Sequence, residues 1–487
     1  VTDTTEGFVA ADPLVESGLT TMTRASALFA AGTVAGKLVG LVMLPVLTRT
    51  LTPSELGNLD VLMVLVNAVT SALLLGLDVA ALRLYFDRPS RAAQRTLVAT
   101  WYVMALGVTS SAGFVLIVIS GVLAIALFST DRLQPAVVAT AFAIVAGTLQ
   151  VIVLTLLRAR GRAGWYAIIN VGSLALYAVL ATILLKAWRA DAAAVVSAWA
   201  IALVVSASLG TIMLRRQVLG RPSWTAGQEL LRLGLPLAPA VVGILVSEFL
   251  IRVFLLRSAG ADQVAFFTVG NRFASVAALS LSVLQLAWVP RAYTLGTSPG
   301  ARGRIGAEGV WIVACVCLAV LVVGTGARVV VEVVAGSTYL AALPALGFSL
   351  ITVVGAAFYL VASMPSALAR RTEDLAIATG AAALVAVVGA FLLAPTWGAA
   401  GTAAAVAVGQ FIAIAVVGVL GARRLKIAMG WGRLLAMATA TCAATLVLVG
   451  DSPLLLRVAA ALLALAVIGW SIPLRQGLRA MRDILPR

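Results

Sequence analysis

Residues 158–216 read RARGRAGWYAIINVGSLALYAVLATILLKAWRADAAAVVSAWAIALVVSASLGTIMLRR. Three arginines precede an apolar run near 165–187. A short gap follows, then a second apolar run near 191–214, then Arg215 and Arg216. About 20 apolar residues suffice to carry a helix across a bilayer, so each run reads as a span. Extended in both directions, the pattern gives about fourteen such segments. They lie near 26–48, 59–82, 96–128, 135–157, 165–187, 191–214, 230–256, 264–289, 306–327, 340–365, 373–394, 397–420, 432–450 and 453–474. The gaps between them are alternately rich and poor in arginine. With basic residues at the edge of a span counted in the adjoining gap, the even-numbered gaps and the two tails hold 25 of the 35 Lys+Arg residues, the odd-numbered gaps hold about 7, and 3 (Lys37, Arg252 and Arg272) lie inside spans. The positive-inside rule makes the Arg-rich set cytosolic, with both termini in the cytosol. The expected location is a membrane, crossed many times.

Composition agrees with an all-α polytopic membrane protein. Hydrophobic residues make up 62% of the chain, charged residues 11%, and the mean hydropathy is +1.08. No gap is long enough for a separate soluble domain, which argues against a fused kinase, hydrolase or glycosyltransferase. The formal charge of +16 marks loops that face anionic lipid rather than a nucleic-acid partner. The segment 1–23 is polar and mildly acidic and reads as a disordered cytosolic tail. It lacks the basic start of a secretory signal, so the run after Arg24 is expected to remain as the first span. Cys315, Cys317 and Cys442 fall inside spans and read as packing residues. With no histidine in the chain, neither a metal centre nor a cofactor is expected.

A faint internal repeat orders the spans. A shift of 208 residues places Arg49 on Arg257, Arg83 on Arg291 and Tyr85 on Tyr293; a shift of 209 places Arg162 on Arg371 and Trp188 on Trp397. Six spans per copy is an even number, so the copies share one orientation, as parallel repeats do. The expected organisation is an N-lobe at 24–214, a C-lobe at 230–421, two added spans at 431–475 and a cytosolic tail at 476–487. Two lobes facing across a cleft suit alternating access.

Charges inside spans identify candidate site residues, because each costs about 2.5–3.5 kcal/mol at a helix centre. Lys37 lies near the middle of the first span, too deep to snorkel easily, and is expected to face a hydrated cleft or a partner. In the seventh span Glu248 and Arg252 are four apart, on one helical face, which predicts an internal ion pair. In the eighth span Asn271 and Arg272 lie at about the depth of Glu248. A Glu248 carboxylate bridging Arg252 and Arg272 would leave a cationic cleft suited to phosphate. The same three residues also suit a purely structural network. Asp78 and Arg83 read as an interfacial pair at the cytosolic end of the second span, with Asp60 in the headgroups at its outer end. Gly32, Gly36 and Gly40 form a small-residue ridge that reads as helix packing. Pro236 and Pro239 interrupt the start of the seventh span.

At four places the chain resembles a known family. The stretch Leu44-Pro45-Val46-Leu47-Thr48-Arg49-Thr50-Leu51-Thr52-Pro53-Ser54-Glu55-Leu56-Gly57 is similar to the opening signature of bacterial polysaccharide flippases. Gly234-Leu235-Pro236-Leu237, Leu286-Ala287-Trp288-Val289-Pro290 and Gly336-Ser337-Thr338-Tyr339-Leu340 fit as well. These are the Wzx-type members of the multidrug/oligosaccharidyl-lipid/polysaccharide (MOP) exporter superfamily. The resemblance implies a V-shaped two-lobed bundle, not an enzyme. Such a bundle moves a polyprenyl-pyrophosphate-linked glycan from the cytosolic to the outer leaflet. Membrane lipids, a polysaccharide polymerase and glycosyltransferases would be its partners. It also implies that spans one, two, seven and eight line the cavity, where Lys37, Glu248, Arg252 and Arg272 fall. An acidic residue at the position of Glu248 is common in the family; Arg252 departs from its pattern. A lipid II flippase and a multidrug antiporter are the related alternatives, and a membrane polymerase or ligase is the alternative from another class. A cation antiporter favours an acidic cavity, and a polymerase a large outer loop.

Overall fold

The computed structural model describes residues 39–187, 190–236, 238–296, 299–427 and 429–472. Lys37, Gly32, Gly36, Trp188 and the expected tails at 1–23 and 476–487 lie outside the described residues. The described part of the first span is α1 (Val39–Thr50). A side-chain cap at its exit decides where the next helix begins. The Thr52 hydroxyl accepts from the Glu55 N–H at 3.3 Å, and Pro53 takes the first helical position, where its missing N–H costs nothing. Helix α2 (Pro53–Leu74) therefore starts six residues before the expected boundary at 59. It breaks at Leu75 and Gly76, both with positive φ, and resumes as α3 (Leu77–Asp87).

The remaining elements follow the hydropathy closely. They are α4 (Arg91–Val118), α5 (Ser120–Phe128), α6 (Gln134–Ala159), α7 (Ala163–Ala187), α8 (Ala192–Met213) and the short α9 (Arg215–Val218). Then come α10 (Trp224–Gly234), α11 (Ala238–Ala259), α12 (Ala261–Leu295) and α13 (Pro299–Ala335). A 3-10 turn at Ser337–Ala342 leads into α14 (Leu343–Ala362), α15 (Met364–Leu368), α16 (Thr372–Arg424), α17 (Trp431–Val449) and α18 (Leu454–Ser471). The overlong third span is α4 and α5 in line. The eleventh and twelfth spans are one run, α16, broken at Gly398 (φ 53, ψ −130). Eleven described helices are long and apolar enough to cross a membrane. Counting α16 as two and adding α1 and the 22-residue α11 gives the fourteen expected. Helix α10 is not among the expected elements. Its buried residues Ala226, Gly227, Leu230 and Gly234 follow a helical period and pack on α3 and α4, while Trp224 is exposed. It is an amphipathic helix packed on the N-terminal half.

The repeat is visible in side-chain contacts. Glu55, the third residue of α2, accepts from the Ala192 N–H at the start of α8, at 2.9 Å. Gln263, the third residue of α12, accepts from the Ala399 N–H just past the α16 break, also at 2.9 Å. Corresponding members of the two pairs are 208 and 207 residues apart, the shift seen in the sequence. The packing repeats with them: α2 lies on α6 and α6 on α8, as α12 lies on α14 and α14 on α16. Helices α17 and α18 attach to the outside of the second lobe through α13 and α14.

The lobes meet mainly through α2, which packs on α11 and α12. The buried residues of α12 run from Val264 to Ala277 and then lapse until Trp288, while the main packing partners of α3 among the described residues, α4, α6 and α10, belong to its own lobe. The interlobe ion pair, the interlobe hydrogen bonds and the tight backbone approach at Gly57 all lie toward the Arg-poor end, which is the closed end; the Arg-rich end has no such contact among the described residues and is the splayed end. Gly57 sits at the closest approach: a Cβ there would lie 1.9 Å from the Ala261 carbonyl oxygen. Gly40, on the expected packing ridge, faces open space instead. Gly57→Ala should therefore destabilise the protein by about 1–3 kcal/mol, read as a lower thermal unfolding midpoint, whereas Gly40→Ala should leave the midpoint unchanged.

Candidate functional site

Helix α2 brings Asp60 two turns below Pro53, about 10 Å into the bundle. Helix α11, running the other way, brings Arg252 to the same depth counted from Ala259. The two meet across the lobe interface, with Arg252 Nε 2.6 Å from Asp60 Oδ2 and both side chains 9% exposed. Arg252 also donates to the Glu248 carbonyl oxygen at 3.1 Å and lies 5.4 Å from the centroid of the Phe267 ring, a cation–π distance.

This corrects two expectations. Asp60 is not in the headgroups, because the Thr52 cap starts the helix earlier than hydropathy alone suggests. Arg252 does not pair with the Glu248 carboxylate, although the spacing of four is right. A buried Asp60 without a counter-charge would be costly, and Arg252 is the cation that reaches it. Arg252 is thereby committed to holding the lobes together.

Glu248 and Asn271 are exposed to a cavity of about 380 Å³ inside the second lobe, between α11, α12, α14 and the two halves of α16. Ser247, Thr352, Tyr359 and Gln410 add polar groups to its wall. Among the described residues the Glu248 carboxylate has no hydrogen-bond or ion-pair partner. No group of His, Cys, Asp and Glu arranged to hold a metal occurs among the described residues. Arg272, one residue past Asn271, is turned about 100° around the helix, lies within electrostatic reach of Tyr177 on α7, and is half-buried. It has no acidic partner among the described residues. The expected Glu248–Arg252–Arg272 unit is thus divided: Arg252 lines the cavity beside Glu248 but is taken up by Asp60 across the interface, Glu248 stands open to the cavity, and Arg272 turns toward the opposite lobe. Asp78 stands in the first turn of α3, where a helix N-terminus favours a carboxylate. It forms no ion pair with Arg83 among the described residues.

Two further contacts have no counterpart in the sequence reading. Arg49 donates to the Val333 carbonyl at 3.0 Å, and Arg257 donates to the Ala126 carbonyl. Arg49 and Arg257 are repeat equivalents, and each carbonyl lies two residues before its helix ends, at Ala335 and Phe128. Last-turn carbonyls lack helical partners and carry the negative end of the dipole, so a guanidinium satisfies both demands. The lobes are clasped reciprocally at the Arg-poor end. At the Arg-rich end the Glu308 carboxylate instead joins neighbours of one lobe, accepting from Trp288 Nε1 and Arg291 Nε, both at 3.0 Å.

A double-mutant cycle separates the two pairings of Arg252. Asp60→Asn alone leaves a buried arginine unpaired and should cost about 3–5 kcal/mol. Asp60→Asn with Arg252→Gln should recover part of that loss. Glu248→Gln should stay within about 0.5 kcal/mol of the parent in thermal or denaturant unfolding.

Comparison with known proteins bears on this arrangement. The family described as "Polysaccharide biosynthesis protein" matches residues 22–294. No curated protein matches the chain. Among solved structures, the lipid II flippase MurJ in an inward closed conformation is 13% identical, with a TM-score of 0.64 over 94% of this chain and 100% of that one. An inward-facing multidrug resistance MATE family transporter of the MOP superfamily is 17% identical, with a TM-score of 0.59 over 83% of this chain and 94% of that one. An outward-facing structure of a MATE family transporter gives 16% identity and a TM-score of 0.50 over 83% and 95%. The family match spans more than half of the residues and includes both partners of the interlobe ion pair. The chain belongs to the polysaccharide biosynthesis protein family and has the fold of MOP-superfamily transporters.

Proposed function

We propose that this protein flips a polyprenyl-pyrophosphate-linked oligosaccharide from the cytosolic to the outer leaflet, in the service of cell-surface polysaccharide synthesis. Carrying this reading is Arg272, a cation without an acidic partner among the described residues, set where the closed Arg-poor end meets the splayed Arg-rich half. An unpaired cation so placed favours an anionic headgroup, and arginine can grip phosphate through two donors. By the charge rule the splayed side is cytosolic, so the described state takes substrate from the cytosolic leaflet. Lys37, outside the described residues, is proposed as a second contact for pyrophosphate. Glu248, without a partner among the described residues in the cavity of the second lobe, is proposed as the group whose charge is neutralised as the lobes move. Asn271 belongs with it rather than with the substrate.

Opening the Arg-poor end pulls Arg252 away from Asp60 and releases the Arg49 and Arg257 clasps. Glycan release on that side then requires the loss of three interlobe contacts at once. Such a barrier holds the outer side shut until substrate binding offsets it.

A second reading, flipping of lipid II, is favoured by the likeness that spans the whole length of a lipid II flippase. One assay addresses both. Purified protein in vesicles should move a labelled polyprenyl-pyrophosphate oligosaccharide to the opposite leaflet, with Arg272→Ala abolishing movement while the unfolding midpoint stays near that of the parent. Movement of lipid II in preference to the oligosaccharide would decide for the second reading. Unimpaired flipping by a folded Arg272→Ala protein would contradict the proposed headgroup site.

A further inference from the structure

The Arg-rich end of the first lobe carries a second concentration of positive charge, away from the lobe interface. Arg91 and Arg95 at the start of α4, Arg160 and Arg162 between α6 and α7, and Arg215 and Arg216 of α9 line one open basin of about 660 Å³. No acidic side chain lines it, and none of the six forms an ion pair among the described residues.

The repeat supplies an internal comparison. Arg304, Arg371, Arg423 and Arg424 stand at the related positions of the second lobe, 208 or 209 residues on from Arg95, Arg162, Arg215 and Arg216. There the charge is answered from within. Asp374, 2% exposed, accepts from Ser366 at 3.0 Å and from Arg424 Nε at 3.4 Å, and Glu373 pairs with Arg371 at 3.0 Å. The residues related to Glu373 and Asp374 in the first lobe are Gly164 and Trp165. Orienting a span needs only net positive charge, which both lobes supply. It does not account for six arginines converging without a counter-charge in one lobe alone.

The basin opens onto the lipid-facing surface. Ile212 lines it and is 61% exposed, Leu209 nearly one turn along α8 is 53% exposed, and Trp165, three residues past Arg162, is 47% exposed, as suits an aromatic at the headgroup level. A ligand filling this site has phosphate at one end and hydrocarbon at the other. We propose that the basin binds the headgroup of an anionic phospholipid of the adjoining leaflet, whose acyl chains lie along α8 over Ile212 and Leu209. Basic recesses between spans at the Arg-rich side suit such headgroups, and the bound lipid supplies the counter-charge that Glu373 and Asp374 supply in the second lobe. The elements that line the basin do not include α11 or α12, so this site is separate from the one proposed for the transported headgroup.

The full chain, purified in neutral detergent, tests this through its unfolding midpoint. Phosphatidylglycerol should raise the midpoint of the parent and phosphatidylcholine should not. Arg160→Gln, Arg162→Gln, Arg215→Gln and Arg216→Gln together should weaken the apparent affinity for phosphatidylglycerol roughly tenfold or more. Removing the same charge from the second lobe, with Arg304→Gln, Arg423→Gln, Lys426→Gln and Arg433→Gln, should leave it near the parent value. A further variant keeps every arginine: Gly164→Glu with Trp165→Asp grafts the second lobe's acids into the basin, where a Cβ at Gly164 meets nothing within 4 Å. It should weaken phosphatidylglycerol as the quadruple variant does, and it decides the matter if that variant fails to fold. Equal losses in the two quadruple variants would reduce the effect to diffuse charge and overturn the proposal. So would a stabilisation reproduced by inorganic phosphate alone, or the absence of any shift with phosphatidylglycerol.

Discussion

The ion pair between Asp60 and Arg252 is the constraint around which the rest of the bundle is arranged. Two charges buried in an apolar bundle are tolerated only in contact with each other, and here they belong to opposite lobes. The pair therefore fixes how deep α2 and α11 sit relative to one another. It also fixes which end of the bundle is shut. Above it, toward the Arg-poor end, Gly57 admits the backbone of α12, and Arg49 and Arg257 reach across to helix-terminal carbonyls. Below it, no comparable contact holds α3 to the second lobe among the described residues. Because parting the lobes at the closed end would expose both charges, the pair stands as a gate as well as a fastener.

The two lobes are built by one plan with different endings. Glu55 and Gln263 make equivalent caps, and Arg49 and Arg257 make equivalent clasps, so the repeat was retained where the lobes must match each other. It was relaxed where they have separate tasks. The second lobe encloses the polar cavity with Glu248, and it pairs Arg371 and Arg424 with Glu373 and Asp374 where Arg162 and Arg216 have no acidic partner among the described residues. Parallel repeats thus preserve the moving interface while the peripheral chemistry of each half diverges.

Much of this is legible in the chain itself. Span number, helix class and the repeat come from hydropathy and charge, since a bilayer forces long apolar helices and sorts arginine between its sides. The site is legible only in part. Arg252, Glu248 and Arg272 stand out because charge inside a span is rare, but their partners are set by tertiary contact. A spacing of four says that Glu248 and Arg252 share a face, not that a better acid waits 192 residues away. Asp60 is misplaced by hydropathy although the signal for its true depth is present. The Thr-Pro-Ser-Glu run at 52–55 begins a helix, and hydropathy windows do not register caps. Helix α10 is absorbed into a loop for a related reason: a short amphipathic helix on the surface has no long apolar run to announce it.

The account turns on the lobes being closed at the Arg-poor end through the Asp60–Arg252 pair. Distances between spin labels report this directly, in a background freed of Cys315, Cys317 and Cys442. Labels at Ser129 and Ser258 span the closed end, and labels at Asp87 and Thr294 span the splayed end. The parent protein in lipid discs should give a short distance for the first pair and a long one for the second. Asp60→Asn should lengthen the first and shorten the second in the same molecules. Distance distributions left unchanged by Asp60→Asn would show that the lobes are held by something other than this pair, and would contradict the account.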